Sequence, residues 1–312
     1  MLGKTAGGLY WMFRYLERSE NTARLVAAGQ RIALTRSRSD DDWESVLDTT
    51  ATYAGYKARH GAVTRDCAVD WLLRDPANPS SVLNVVEAAR NNARLVRTAL
   101  TREVWESVNE SWMVLRDALG RKVGERDLPG VLTLIRHRSA HVRGAFAGTM
   151  LRNDIFNFAR IGTFIERADA TARLLDVKYY VLLPSAQAVG SSLDNVQWET
   201  ILRSVSAEGA YRMTHGGDVR PRHIASFLIL DRRMPRSLAF SVSKLADNFG
   251  YLAGAYGARP PSHDLADGLM EGCLGTGIDA IFENGLHEWI QDFLRATATL
   301  GSQVEIDYRF TA

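Results

Sequence analysis

A nine-residue string near the start of the chain returns 149 residues later. Glu17-Arg18-Ser19-Glu20-Asn21-Thr22-Ala23-Arg24-Leu25 is answered by Glu166-Arg167-Ala168-Asp169-Ala170-Thr171-Ala172-Arg173-Leu174, with six of nine positions identical and Glu20/Asp169 keeping its charge. Two more blocks follow in the same order. Trp43, Glu44, Tyr56, His60 and Gly61 match Trp198, Glu199, Tyr211, His215 and Gly216 at an offset of 155. Asp75, Pro79, Ser81 and Asn92 match Asp231, Pro235, Ser237 and Asn248 at 156. The step from 149 to 155 puts six extra residues into 184–195, a loop where insertion costs little. Three collinear blocks predict two diverged copies of one half, 1–151 and 152–312. The copies are expected to pack as one compact body about an approximate two-fold axis.

Each copy reads as helix. From Leu9 the apolar residues Met12, Phe13, Leu16, Ala23 and Val26 follow at helical spacing, and Phe158, Ile161, Ile165, Ala172 and Leu175 do the same in the second copy. Pro79 to Ser81 and Pro235 to Ser237 each precede a periodic run, 82–100 and 238–256, as expected of a capped helix start. Further helices are predicted over 102–119, 128–150 and 278–304. Breakers fall at 35–42, 75–79, 120–129, 184–195, 215–221 and 259–263. The glycine-rich stretch 272–277 follows no strand and reads as an interhelical turn. No alternating apolar run bounded by hairpin turns occurs. The expected class is all-α, a multi-helix bundle.

Composition narrows the function. With 312 residues, 46% hydrophobic and 24% charged, the chain can bury a core without staples, which excludes disordered, collagen-like and small disulfide-rich classes. A net charge of +2 argues against a general nucleic-acid binder. Of the 38 basic residues five are lysine and 33 arginine. Arginine suits forked contacts to carboxylate or phosphate, although a GC-rich genome produces the same bias. Cys67 and Cys273 show neither a pairing pattern nor metal-ligand spacing, so a reducing cytoplasm is the expected compartment. Arg14, Glu17 and Arg18 arrive before an apolar core of leader length can form. No later stretch approaches 18 uncharged apolar residues, and no membrane span is expected.

The repeated string carries the candidate site. On a helix Glu17, Glu20 and Arg24 share one face, Glu166, Asp169 and Arg173 repeat it, and Arg18 and Arg167 sit about 100° round. Two readings stand side by side. The face is either a paired polar site that grips a ligand or a partner, or an ion-pair ladder that fixes the register of two helices, and the commonness of such ladders favours the second. His60-Gly61 and His215-Gly216 read as helix ends with glycine caps. His137 and His141 share a helical face but lack the Glu a metalloprotease requires, and stand among Arg136, Arg138 and Arg143. That segment reads as a solvated basic face, and neither metal nor cofactor is expected. Trp43/Trp198 and Trp71/Phe227 read as core. No phosphate-binding glycine loop, nucleophile elbow or Cys/His cluster is present in the sequence, so no catalytic residue is assigned.

Three segments, 9–25, 160–179 and 78–94 with its Asn78-Pro79-Ser80-Ser81-Val82 and Ala88-Ala89-Arg90-Asn91-Asn92-Ala93-Arg94, closely resemble the bacterial Alpha-E family. The likeness runs along essentially the whole chain. What the resemblance implies is a helical protein encoded beside, or fused to, a circularly permuted ATP-grasp ligase-like protein. Transglutaminase-like and proteasome-like peptidases are frequent neighbours. The expected role is an accessory or substrate-presenting subunit of an amide-bond-forming system, acting on a peptide or protein with the ATP-grasp protein as partner. The alternatives are an enzyme that uses the repeated Glu/Arg face itself and, more remotely, a nucleic-acid-binding adaptor. One departure stands out. Many relatives carry an acidic residue and Gly after an Arg-x-Asp, whereas Arg152-Asn153-Asp154 is followed here by Ile155-Phe156.

Overall fold

Two long helices meet where one of them lacks a side chain. A Cβ on Gly162 would lie 2.2 Å from the carbonyl oxygen of Tyr10, so only glycine lets the two backbones approach this closely. The helices are α1 (Gly3–Thr35) and α8 (Asp154–Val181) in the computed structural model, which describes residues 1–35, 40–181, 192–217 and 220–311. The expected insertion at 184–195 falls mostly outside the described residues.

The fold is all-α. After α1 come α2 (Asp40–Thr49), α3 (Tyr53–Lys57), α4 (Arg65–Leu73), α5 (Val82–Leu95), α6 (Arg102–Ala118) and α7 (Leu128–Thr149). After α8 come α9 (Ser192–Ser204), α10 (Glu208–His215), α11 (Pro221–Leu230), α12 (Leu238–Tyr256), α13 (Pro261–Gly275), α14 (Ile278–Glu283) and α15 (Leu286–Asp307). Among the described residues there is no strand. Local chemistry marks the starts. Thr64, Thr101 and Ser237 cap α4, α6 and α12 by accepting from Cys67, Val104 and Phe240 N–H, and Pro opens α7, α11 and α13 in the first turn. Gly257 ends α12 in the left-handed region at φ +66°.

The two long helices organise the packing. Helix α1 lies against α5, α7, α8 and α9, while α8 lies against α12, α15 and α2 as well as α1. Three apolar clusters result. The largest surrounds α8, α11, α12, α13 and α15; a second joins α2 through α5 to α7; the third is centred on Phe13, Val108 and Phe146 between α1, α6 and α7. Residues paired by the sequence offsets keep like company. Tyr56 stacks on His60 at 4.6 Å and meets Trp71 edge-on, and Tyr211 stacks on His215 at 4.7 Å and meets Phe227 edge-on. Trp43 and Trp198 are both buried.

Three local expectations need correction. The stretch 272–275 is helical, because Ala266, Leu269 and Cys273 bury one face of α13 and outweigh the weak helix propensity of glycine; the turn is confined to Thr276 and Gly277. The run 278–304 is broken in two at Gly285, whose φ of +96° no helix tolerates. The glycine cap after histidine holds for Gly216 (φ +69°) but not for Gly61, because α3 stops at Lys57 and the chain turns before reaching His60.

The Gly162 contact is testable. Gly162→Val sets a side chain against a backbone atom that cannot yield, forcing α1 and α8 apart, and is expected to lower stability by about 1–3 kcal/mol or more. Urea denaturation measures it. A change below about 0.5 kcal/mol, the scale of ordinary surface substitutions, would mean that the helices do not touch there.

Candidate functional site: a Glu–Arg seam between α1 and α8

One turn beyond the Gly162 contact the facing surfaces become charged. All eight residues of the repeated face lie on α1 and α8, and the two Glu-Arg dipeptides exchange partners. Arg167 forks onto Glu17, Nε to Oε1 and Nη2 to Oε2, both at 2.9 Å. Arg18 forks onto Glu166, Nε to Oε1 at 2.6 Å and Nη2 to Oε2 at 3.0 Å. Within each helix the i,i+4 pairs form as the spacing predicts, Arg24 to Glu20 at 2.7 Å and Arg173 to Asp169 at 2.8 Å.

Three arginines that sequence reasoning did not assign complete the seam. Arg14, one turn before Arg18, donates to Glu166 Oε2 at 3.0 Å. Arg143 reaches from α7 to Glu17 at 3.4 Å and to Glu20, so it does not belong to a solvated basic face. Arg236, just before α12, donates to Glu20 at 2.5 Å and to Asn21 Oδ1 at 2.9 Å, and lies 3.1 Å from Glu17 Oε1. Helical spacing around Arg18 could have found Arg14. The other two come from distant segments, and only packing brings them in.

The carboxylates are deeply buried, Glu17 and Glu20 each 1% exposed. Burial by itself pushes the Glu17 carboxyl up, but Arg167, Arg236 and Arg143 outweigh it and hold it well below the ordinary carboxylate range. Glu20 is held down against the same burial and against Glu17 by Arg236, Arg143 and Arg24. Glu166 is held down by Arg18 and Arg14. Arg236 shows the reverse. Its burial dominates, and with Arg167 and Arg24 nearby it is pushed down to about 10 despite Glu17 and Glu20. A carboxylate in such company is permanently ionised and fully occupied, so it offers neither a proton nor a free base.

The two ends of the seam differ. Arg24 is mostly buried and also donates to the Ser204 carbonyl at 3.0 Å and to Ser206 Oγ at 2.8 Å. Arg173 is 34% exposed and bonds Asp169 alone among the described residues. At the sequence offset of 156, Ser80 is the counterpart of Arg236. It borders a cavity of about 180 Å³ shared with Arg18, Asn21, Thr22, Asp169 and Arg173. Asn21 Nδ2, buried beside it, finds no acceptor among the described residues.

The remaining candidates lie apart. His60 sits against Tyr56 with Asp75 at 3.9 Å, and His215 bonds Thr214. His137 and His141 are exposed, with His141 3.4 Å from Ser107 Oγ. Among the described residues no group of three or more His, Cys, Asp or Glu is arranged to hold a metal ion.

A family model described as "a predicted alpha-helical domain with a conserved ER motif" matches residues 1–308. The chain belongs to the Alpha-E family. Three Glu-Arg dipeptides occur in this Alpha-E chain; Glu125-Arg126 is exposed in a loop, whereas Glu17-Arg18 and Glu166-Arg167 pair with each other between α1 and α8. Similar proteins include an uncharacterised protein of Mycobacterium bovis, 27% identical over 325 residues covering 92% of this chain and 33% of the relative. Uncharacterised proteins of two Mycobacterium tuberculosis strains match at 27% and 26% identity with the same coverage. The chain therefore spans about a third of the length of the curated relatives it matches. No solved structure matches.

The depressed carboxyls set the pH dependence. Unfolded, they return to the ordinary value of 4.5 and bind protons that the fold excludes, so their contribution is complete above 4.5 and lost as pH falls below it. Thermal stability is expected to drop steeply on the acid side of 4.5, and Glu17→Gln to show a shallower acid limb. An unchanged limb in Glu17→Gln would contradict the assignment.

Proposed function

We propose that this Alpha-E chain is an accessory or substrate-presenting subunit in an amide-bond-forming system, working on a peptide or protein with a circularly permuted ATP-grasp protein. The observation that carries the non-catalytic part is the seam itself. Glu17, Glu20 and Glu166, the carboxylates at the centre of the face that the sequence offers for chemistry, are buried, ionised and bonded to arginines, which leaves none of the three as a free acid or base. That supports an accessory role over an enzyme acting through the Glu/Arg face. The ATP-grasp partner rests on the family resemblance. It draws support from the mycobacterial relatives, in which the matching segment is a third of a longer chain and so is joined to further sequence.

The reading includes two diverged copies, 1–151 and 152–312, supported by the like order of helices and by the paired Tyr–His stacks. It sets the protein in a reducing cytoplasm, supported by two free thiols, of which Cys273 is buried and pushed up to about 12. No described helix is long and apolar enough to cross a membrane. The near-neutral charge stands against a nucleic-acid adaptor.

The test is reconstitution with the neighbouring ATP-grasp protein, measuring ATP turnover for each component and for the pair. The expected result is turnover that needs the ATP-grasp protein and rises severalfold when this chain is added. Turnover by this chain alone, or micromolar nucleotide binding to it in calorimetry, would overturn the accessory reading.

A further inference from the structure

A second charged cavity opens two turns before Arg167 on α8. It has a volume of about 620 Å³ and lies between the first turns of α8 and the outer face of α12. Most of its charged groups are already matched. Lys244 pairs with Asp247 at 2.7 Å, Asp154 accepts from the Tyr256 hydroxyl at 2.7 Å, and Arg152 donates to the Ala147 carbonyl at 2.7 Å. Arg160 is the exception. Among the described residues it has neither a carboxylate within ion-pair distance nor a hydrogen bond, and its guanidinium lies 4.4 Å from the centroid of the Phe164 ring.

A second group in the cavity is unmatched as well. Asn157 is only 6% exposed, and its side-chain amide has no partner among the described residues although it borders the cavity. A half-buried guanidinium with no carboxylate within ion-pair distance is costly, whereas in the nearby seam Arg18 and Arg167 are each forked onto a glutamate. Burial, with Arg167 and Arg152 nearby, pushes Arg160 down to about 10, and Asp247 offsets this only in part. Unmatched charge inside a cavity of this size is the signature of a binding site whose ligand supplies the missing partner.

We propose that this cavity binds a small organic oxyanion, its carboxylate or phosphate headgroup forked on Arg160 with the Asn157 amide donating beside it. Guanidinium geometry selects such headgroups. The exposed Tyr251 lines the same cavity and offers ring surface to a flat apolar body, while the Phe156 ring beside it is already stacked on Phe146 and covered by Arg152. A volume of about 620 Å³ is of the size that takes a small molecule. The site is separate from the carboxylates of the seam and independent of the accessory role.

Calorimetric titration with benzoate and with phenyl phosphate tests this and separates the two headgroups. At least one probe is expected to bind one-to-one and to raise the melting temperature. Arg160→Met is expected to weaken binding at least about tenfold, as loss of a charged hydrogen bond does, and Asn157→Ala to weaken it severalfold. Arg160→Met breaks no ion pair and gives up only the contacts of the guanidinium with the Phe164 and Phe156 rings, so the ligand-free variant should fold and melt close to the parent. Arg102→Ala, which removes an exposed arginine of α6, should bind as the parent does. Absence of saturable binding by both probes, retained binding in Arg160→Met, or binding of an acidic peptide alone would each overturn the proposal.

Discussion

Two forked ion pairs, Arg167 on Glu17 and Arg18 on Glu166, fix how the two longest helices of this protein lie against each other. The exchange is reciprocal, so both pairs are satisfied in one register only. Sliding either helix by a turn, about 5.4 Å, would strand buried carboxylates without partners. The backbone approach at Gly162 restricts the register sterically, and the desolvated charges restrict it electrostatically. The close approach at Gly162 permits the contact, and the other helices are built outward from α1 and α8.

The seam is also unevenly completed. Six arginines surround Glu17, Glu20 and Glu166, and Arg236 closes one end by bridging Glu17 and Glu20. At the other end Ser80 borders a cavity, and Arg173 keeps part of its guanidinium in solvent. The buried half has the features of a structural lock, and the open half keeps polar donors within reach of solvent. Arg160, two turns before Arg167 on α8, belongs to neither half and stands out against the forked arginines of the seam.

Much of this was legible in the sequence. Helical class followed from apolar spacing, and the seam's eight core members followed from one repeated string. What a single sequence could not show is which residues arrive from elsewhere. Arg143 reads as a surface residue on its own helix and becomes a seam residue only because α7 packs on α1. Arg236 is hidden beside Ser237, whose capping role accounts for the local pattern by itself. The isolation of Arg160 is a three-dimensional property with no sequence signal. The misread glycines at 272–275 follow the same logic, since burial of Cys273 and Leu269 decided the helix against local propensity.

The central claim is that the exchanged Glu–Arg pairs hold the fold, and a double-mutant cycle on Glu17 and Arg167 tests it most directly. Stabilities of Glu17→Gln, Arg167→Met and the double variant would be measured by urea denaturation. The account predicts that each single change costs about 3–5 kcal/mol. The double variant should lose about 2–3 kcal/mol less than the sum of the two, because the second removal no longer strands a charge. Single losses below about 0.5 kcal/mol with no coupling would contradict it.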